Sequence, residues 1–272
     1  MRRAFVVVIG MLALVCLAQV ASATPKREDP HRWPGARALP TSSRSVGWAW
    51  QGSLRNGVKV VESDYVRYVT EYTRNDHFYG TWELVQLVER AAWRVWSRLP
   101  GSRLSIGELS AKEGGDIPDH RSHESGRDVD IAFYMLDGSG EPFEPYAFAA
   151  FDGRGKGMGV NSGLRFDDAR NWELVAKLVA DGDARVQYMF VHQSIKRRLL
   201  AEGRRRGAPK VLLDRAEKVM VQPTGHVHRN HFHVRIYCPP ASRPSCKDRA
   251  PYHAWYPGTP PSLTASGRSG RL

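Results

Sequence analysis

The stretch HRNHFHVRIYC, residues 228–238, sets three histidines within six positions ahead of a β-prone run that closes on a cysteine. In a strand, alternate side chains point to opposite faces, so His231, His233, Arg235 and Tyr237 share one face while Phe232, Val234 and Ile236 share the other. The apolar face belongs to a core; the polar face gathers groups able to do chemistry. A second segment, DVDIAFYM at 128–135, alternates in the same way. Asp128, Asp130, Ala132 and Tyr134 lie on one face, and Val129, Ile131, Phe133 and Met135 on the other.

If these two strands are neighbours, their polar faces combine. His123 precedes Asp130 by seven positions, with Gly126 between them to allow a sharp turn from loop into strand. The arrangement brings His123, Asp130 and His233 around one point, two imidazole nitrogens and one carboxylate oxygen. Three protein ligands and a water are the usual composition of a catalytic zinc site. Zinc accepts N and O donors, lowers the pKa of a bound water from about 15.7 towards about 7, and polarises a peptide carbonyl. The attacking water needs a group to manage its proton, and the developing oxyanion needs a donor. His231, on the face of His233, and His228, just upstream, could serve. Each piece alone has a plainer reading: an H-x-H pair on a strand is ordinarily a surface pair, and Asp128 with Asp130 a solvated face. The ordered combination points to a metal only when joined to a family resemblance, not through spacing alone.

The rest of the chain supplies a frame. Thr81 can cap a helix through WELVQLVERAAWRVWSRL, whose Leu84, Val85, Val88, Ala91, Ala92, Val95, Trp96 and Leu99 recur at helical spacing and stop before Pro100. RLSIGELS at 103–110 reads as a strand, followed by a long polar loop to residue 127. Asp167 or Asp168 can cap a second helix, RVQYMFV reads as a buried strand, and SIKRRLLAEG and PKVLLDRAEKVM read as further short helices. This mixture predicts an α+β fold, one compact domain whose central antiparallel sheet carries the site and is flanked by helices. The Gly-rich stretch FDGRGKGMGVNSG lacks the Lys-Ser/Thr ending of a phosphate-binding loop and reads as a flexible surface loop at the rim of the cleft.

Arg2 and Arg3 precede an apolar run from Ala4 to Ala18, and Ala21-Ser22-Ala23 supplies the small residues of a cleavage site, so residues 1–23 read as a signal peptide removed after Ala23. The run is short of the ~20 residues that span a bilayer, which argues against stable membrane insertion. Residues 24–44 read as a flexible arm, 45–246 as the globular domain, and 247–272 as a disordered tail that stays clear of the core. After cleavage two cysteines remain, Cys238 and Cys246, expected to form a disulfide in an oxidising compartment, with free thiols or metal ligation as the alternatives. The net charge of +12, of which Arg2 and Arg3 account for two, favours anionic surroundings. Dispersed basic residues and export argue against nucleic acid and for a wall polymer, beside the blander reading of a basic surface without a specific partner. Neither an HExxH helix nor a GxSxG elbow occurs.

SHESGRDVDIAFY and HRNHFHVRIYCP resemble the penicillin-insensitive murein endopeptidases, zinc metallopeptidases of the lysostaphin, D-alanyl-D-alanine peptidase and hedgehog fold group. SVGWAWQGSL, YGTWELVQLVERAA, SIGELSAKEGG and RNWELVAKLV extend the likeness over roughly residues 45–246. The resemblance implies that His123, Asp130 and His233 take the zinc-ligand places, and that His231 and His228 take those of the assisting histidines. It implies a periplasmic enzyme that cuts D-alanyl to meso-diaminopimelyl cross-links in peptidoglycan stem peptides. His120 also matches a family position and could join a second metal, but no histidine lies between His123 and His192, so a second site drawing on that region would be incomplete. His192 reads as structural. The alternatives are a D,D-carboxypeptidase or dipeptidase of the same fold, and a non-catalytic zinc-stabilised wall-binding protein. Oligomeric state is not legible.

Overall fold

Thr81 and Asp167 open two apolar helices where their spacing predicts. In the computed structural model, which describes residues 42–224 and 228–260, the Thr81 side chain accepts a hydrogen bond from Leu84 N and that of Asp167 from Arg170 N. The expected signal segment, nearly all of the arm and residues 261–272 of the expected tail lie outside the described residues. The chain begins with a hairpin of β1 (Arg44–Trp48) and β2 (Gln51–Arg55), then β3 (Val58–Lys59), β4 (Val66–Tyr68) and β5 (Tyr79–Gly80). Next come α1 (Trp82–Arg98), β6 (Leu104–Ile106), β7 (Asp128–Ala132), and the short strands β8 (Met135–Leu136), β9 (Pro142–Phe143) and β10 (Arg165–Phe166). The last part holds α2 (Asp168–Ala180), β11 (Val186–Phe190), α3 (Gln193–Arg205), α4 (Lys210–Val219), β12 (Met220–Val221) and β13 (His231–Ile236).

The α+β expectation holds, with one refinement. The six-stranded sheet runs β12-β11-β13-β7-β6-β4, antiparallel through its centre but parallel at both ends, where β12 pairs with β11 and β4 with β6. The central pair is what matters for the site. Val129 and Ile131 of β7 and Phe232, Val234 and Ile236 of β13 join one buried apolar cluster with Leu84, Val88 and Val95 of α1 and Leu174, Val175 and Leu178 of α2. Burying such side chains contributes roughly 1.5–3 kcal/mol each, so the apolar face fixes the register that presents the opposite face. Within α1, Trp93 rather than Trp96 is buried; Trp96, placed on the buried stripe by its spacing, is 36% exposed because it lies near the helix's C-terminal end.

The segment after Cys246 corrects the expectation of a tail that stays clear of the core. Asp248, whose side chain is buried, pairs with the buried guanidinium of Arg127 at 2.9 Å and accepts from Cys238 N. Tyr237 donates to Pro251 O, Trp255 Nε1 donates to Val186 O, and Trp255 packs against the core. Its Pro and Gly content prevents regular secondary structure, yet its aromatics and one carboxylate still find partners. Cys238 and Cys246 are disulfide-bonded, and Gly47 of β1 bonds through its backbone to Ser245 and Lys247 on either side of Cys246.

Candidate metal centre

β13 and β7 pair antiparallel with His233 opposite Asp130, His231 opposite Ala132 and Arg235 opposite Asp128. Gly126, at φ +70°, turns the preceding loop so that His123 reaches the same spot; a Cβ there would come within 2.6 Å of Leu54. His123 Nε2, Asp130 Oδ1 and His233 Nδ1 then stand 3.5, 3.1 and 3.2 Å apart around the triangle. Bonds of about 2.0–2.2 Å to a tetrahedral ion set ligand atoms about 3.3–3.6 Å apart, so the triangle is close to the size such an ion needs.

The other atoms of these side chains are held from outside. His123 Nδ1 lies 2.5 Å from Leu109 O, which makes Nδ1 the protonated nitrogen and turns the Nε2 lone pair inward. His233 Nε2 lies 2.8 Å from Asp128 Oδ1, and Arg235 Nε donates to the same oxygen at 2.6 Å. Such outer partners orient ligands and fix their tautomers. Asp130 Oδ1 is buried and makes no hydrogen bond, although nitrogens of His123, His231 and His233 all lie within 3.6 Å of it. A buried carboxylate oxygen without a donor, amid imidazole nitrogens, fits a cation, and the N, N, O donor set suits zinc.

His120 completes a second set: with His123 and Asp130 it offers ligand atoms within 4.8 Å of one another. Its Nδ1 is 3.7 Å from Asp130 Oδ2, while its Nε2 is taken by Glu108 at 2.8 Å. The two sets share His123 and Asp130, and the one closed by His233 has the shorter edges.

Burial alone would raise the Asp130 carboxyl, but electrostatic interaction with the surrounding imidazoles of His123, His231 and His233 outweighs it and holds the group well below the usual carboxylate range. His233 shows the converse: burial opposes its charge, yet Asp130 and Asp128 push it up to about 9. His231 and His228 fall to about 4, first through burial and then through neighbouring imidazoles, and are neutral at pH 7. His228 Nδ1 is buried without a partner, and the ring lies 4.9 Å from that of His231. Both His123 (φ +77°) and His228 (φ +61°) occupy the left-handed region, a conformation that costs a non-glycine residue about 1–3 kcal/mol and persists only where surroundings enforce it.

A cleft of about 520 Å³ opens beside these groups, lined by Tyr72, His77, Glu108, Asp130, Phe148 and His231 among others, with Arg74 at its wall. Phe148 stacks on His231 at 4.6 Å, and Tyr72 flanks Phe148 at 5.1 Å. Glu108 gathers His120, His77 and Asn75 and is held at about 2, because those hydrogen bonds outweigh the rise that burial would cause.

The structure thus brings together His123, Asp130, His233, His231, His228 and His120. His192 stands apart as the cap of α3, its backbone N donating to His228 O. Among the described residues the Gly-rich loop supplies nothing to the cleft lining, contrary to its reading as a rim, though Phe151 N at its stem donates to Arg229 O. Glu108, Tyr72 and Phe148 were not singled out from the sequence. A carboxylate set between buried Ile106 and Leu109 was the one available signal for Glu108.

Paired imidazoles and a carboxylate on a sheet, beside a polar cleft, define a candidate metal-centred hydrolytic site. The family model described as penicillin-insensitive murein endopeptidase matches residues 45–256, and the chain belongs to that family. Proteins named penicillin-insensitive murein endopeptidase are similar to it along most of their length. That of Klebsiella pneumoniae (strain 342) is 27% identical over 248 residues, covering 90% of this chain and 82% of the relative. That of Yersinia pestis bv. Antiqua (strain Antiqua) is 27% identical over 271 residues, covering 94% and 89%. That of Salmonella paratyphi C (strain RKS4594) is 29% identical over 247 residues, covering 89% and 81%.

Proposed function

We propose that this chain is an exported zinc endopeptidase that hydrolyses D-alanyl to meso-diaminopimelyl peptide cross-links in peptidoglycan. The observation that carries the reading is the triangle of His123 Nε2, Asp130 Oδ1 and His233 Nδ1, with edges of 3.1–3.5 Å around an undonated carboxylate oxygen. The names of its relatives supply the substrate class, and the Cys238–Cys246 disulfide supports an oxidising compartment such as the periplasm.

In this reading His123, Asp130 and His233 hold the ion, and His120 stands beside them. When bound, zinc supplies Lewis acidity towards the scissile carbonyl and makes an attacking water more acidic. His231 and His228, neutral at pH 7, manage the proton and donate to the developing oxyanion. His231 is oriented by Asn230 Oδ1, 2.8 Å from its Nδ1, and by the Phe148 ring, which leave Nε2 facing Asp130. The aromatic wall of Tyr72 and Phe148 shields that imidazole from bulk water.

The test is to purify the protein, measure its zinc content, and follow cross-linked muropeptide dimers by mass spectrometry with and without a chelator. The expected result is splitting of dimers into monomers, lost with chelator and restored by zinc. Release of a terminal alanine with dimers left intact would instead identify a carboxypeptidase. Undiminished splitting by a His123→Ala variant would reject the site.

A further inference from the structure

Away from the cleft, the Gly-rich loop projects from the body carrying a different set of groups. Arg154, Lys156 and Arg165 line a depression of about 350 Å³ with Ser162 and Leu164, and no carboxylate joins them. Asp152, the acid at the loop's stem, directs Oδ1 to the backbone N–H groups of Arg154 and Lys156. Lys156 and Arg165 face each other across an antiparallel bridge. Like charges directly opposite one another destabilise such a pair unless an anion lies between them. Beside the loop, tied to it by Arg198 donating to Arg154 O, α3 contributes a second depression of about 450 Å³ lined by Ser194, Arg197, Arg198 and Arg205. Its two carboxylates, Asp168 and Glu202, are already paired with Arg198 and Arg205.

On the same loop, between Lys156 and Arg165 in sequence, Val160 is 101% exposed and Met158 42% exposed. An anionic polymer alone needs no exposed apolar side chains; a lipid surface offers phosphates and hydrocarbon at adjoining depths. We propose that this loop and the adjoining face of α3 dock on an anionic phospholipid surface. Headgroup phosphates sit between Lys156 and Arg165 and beside Arg197, and Met158 and Val160 enter the acyl boundary.

This inference does not depend on the peptidase reading, since vesicle binding is measured without any peptide substrate. The full chain is sedimented with vesicles containing phosphatidylglycerol, with vesicles of phosphatidylcholine alone, and with isolated sacculi. Binding is expected to the first vesicles and not to the second, and to weaken as salt is added. Lys156→Ala with Arg165→Ala is expected to weaken it about 25-fold, roughly five-fold per charge removed. Val160→Asp is expected to weaken it about ten-fold or more. All three positions are exposed, so Val160→Asp should keep the wild-type Tm and the double alanine variant, relieved of the opposed charges, should keep or slightly raise it. Absence of binding to phosphatidylglycerol vesicles at low salt overturns the proposal. So does binding that either variant leaves unchanged, and so does binding to sacculi alone that the same substitutions abolish, which would assign the face to a wall polymer.

Discussion

The two faces of the β7–β13 pair differ in everything except their backbone. One face buries Val129, Ile131, Phe232, Val234 and Ile236 among helices, where shape complementarity dominates and no polar group needs a partner. The other buries Asp128, Asp130, His233 and Arg235 almost as completely, so every donor and acceptor there must find a counterpart. The first face stabilises by area. The second is tolerable because most of its groups answer one another; two carboxylate oxygens are left undonated, Asp128 Oδ2 and Asp130 Oδ1, and the latter, set amid three imidazoles, marks where a cation fits.

Substitutions can separate the two faces. The largest effect is expected from His123→Ala on the polar face: loss of peptide-bond hydrolysis by about 10³-fold or more, with loss of bound zinc and a lowered Tm, since a buried partner and the ion's stabilisation go together. Kinetics on muropeptide dimers together with metal analysis would check it. On the apolar face, Phe232→Ala should cost about 3–5 kcal/mol of stability, read from denaturant unfolding, with activity per folded molecule retained. If Phe232→Ala abolished activity in the folded protein, the division of labour between the faces would fail. Asp128→Asn keeps the size but weakens the outer partner of His233, and should reduce metal affinity about 10–100-fold, measured by chelator competition. The mildest effect lies outside both faces, at Glu144, which pairs with Arg103 and Arg67. Burial would raise its carboxyl, but the arginines hold it below the ordinary value of 4.5. A depressed folded pKa contributes stability that is complete above 4.5 and fades as pH falls through the folded value. The Tm gap between wild type and Glu144→Gln should therefore be largest near neutrality and shrink on acidification.

How legible this was depends on the range of the interactions. Period-two alternation in DVDIAFYM and HFHVRIY placed Asp130 and His233 on polar faces, whereas the pairing of the two strands and the arrival of His123 from its loop are long-range and rested on the family resemblance, not on local pattern. Thr81 and Asp167 were readable, since caps are local chemistry. The parallel pairing of β4 and β12 at the sheet ends was not, because neither short strand carries a periodic signal. Glu108 escaped because its partners His77, His120 and Asn75 arrive from other segments. The left-handed backbone of His228 also has no trace in composition. The stretch after Cys246 misled most: Pro-rich, it looks unfit to fold, and it does lack regular structure, yet Trp255 and Asp248 give it tertiary anchors.

Those anchors make the end of the chain a keystone. The Arg127 guanidinium is buried with the tail in place and is held there by Asp248 and Lys247 O, so a protein stopped just past the disulfide would lose both partners and open that charge to water. Arg127 directly precedes β7, so the damage would begin one residue from the strand that carries Asp130. A frameshift or protease nick there, remote from the cleft in sequence, would thus loosen the strand that carries Asp130 without touching any of the proposed ligands.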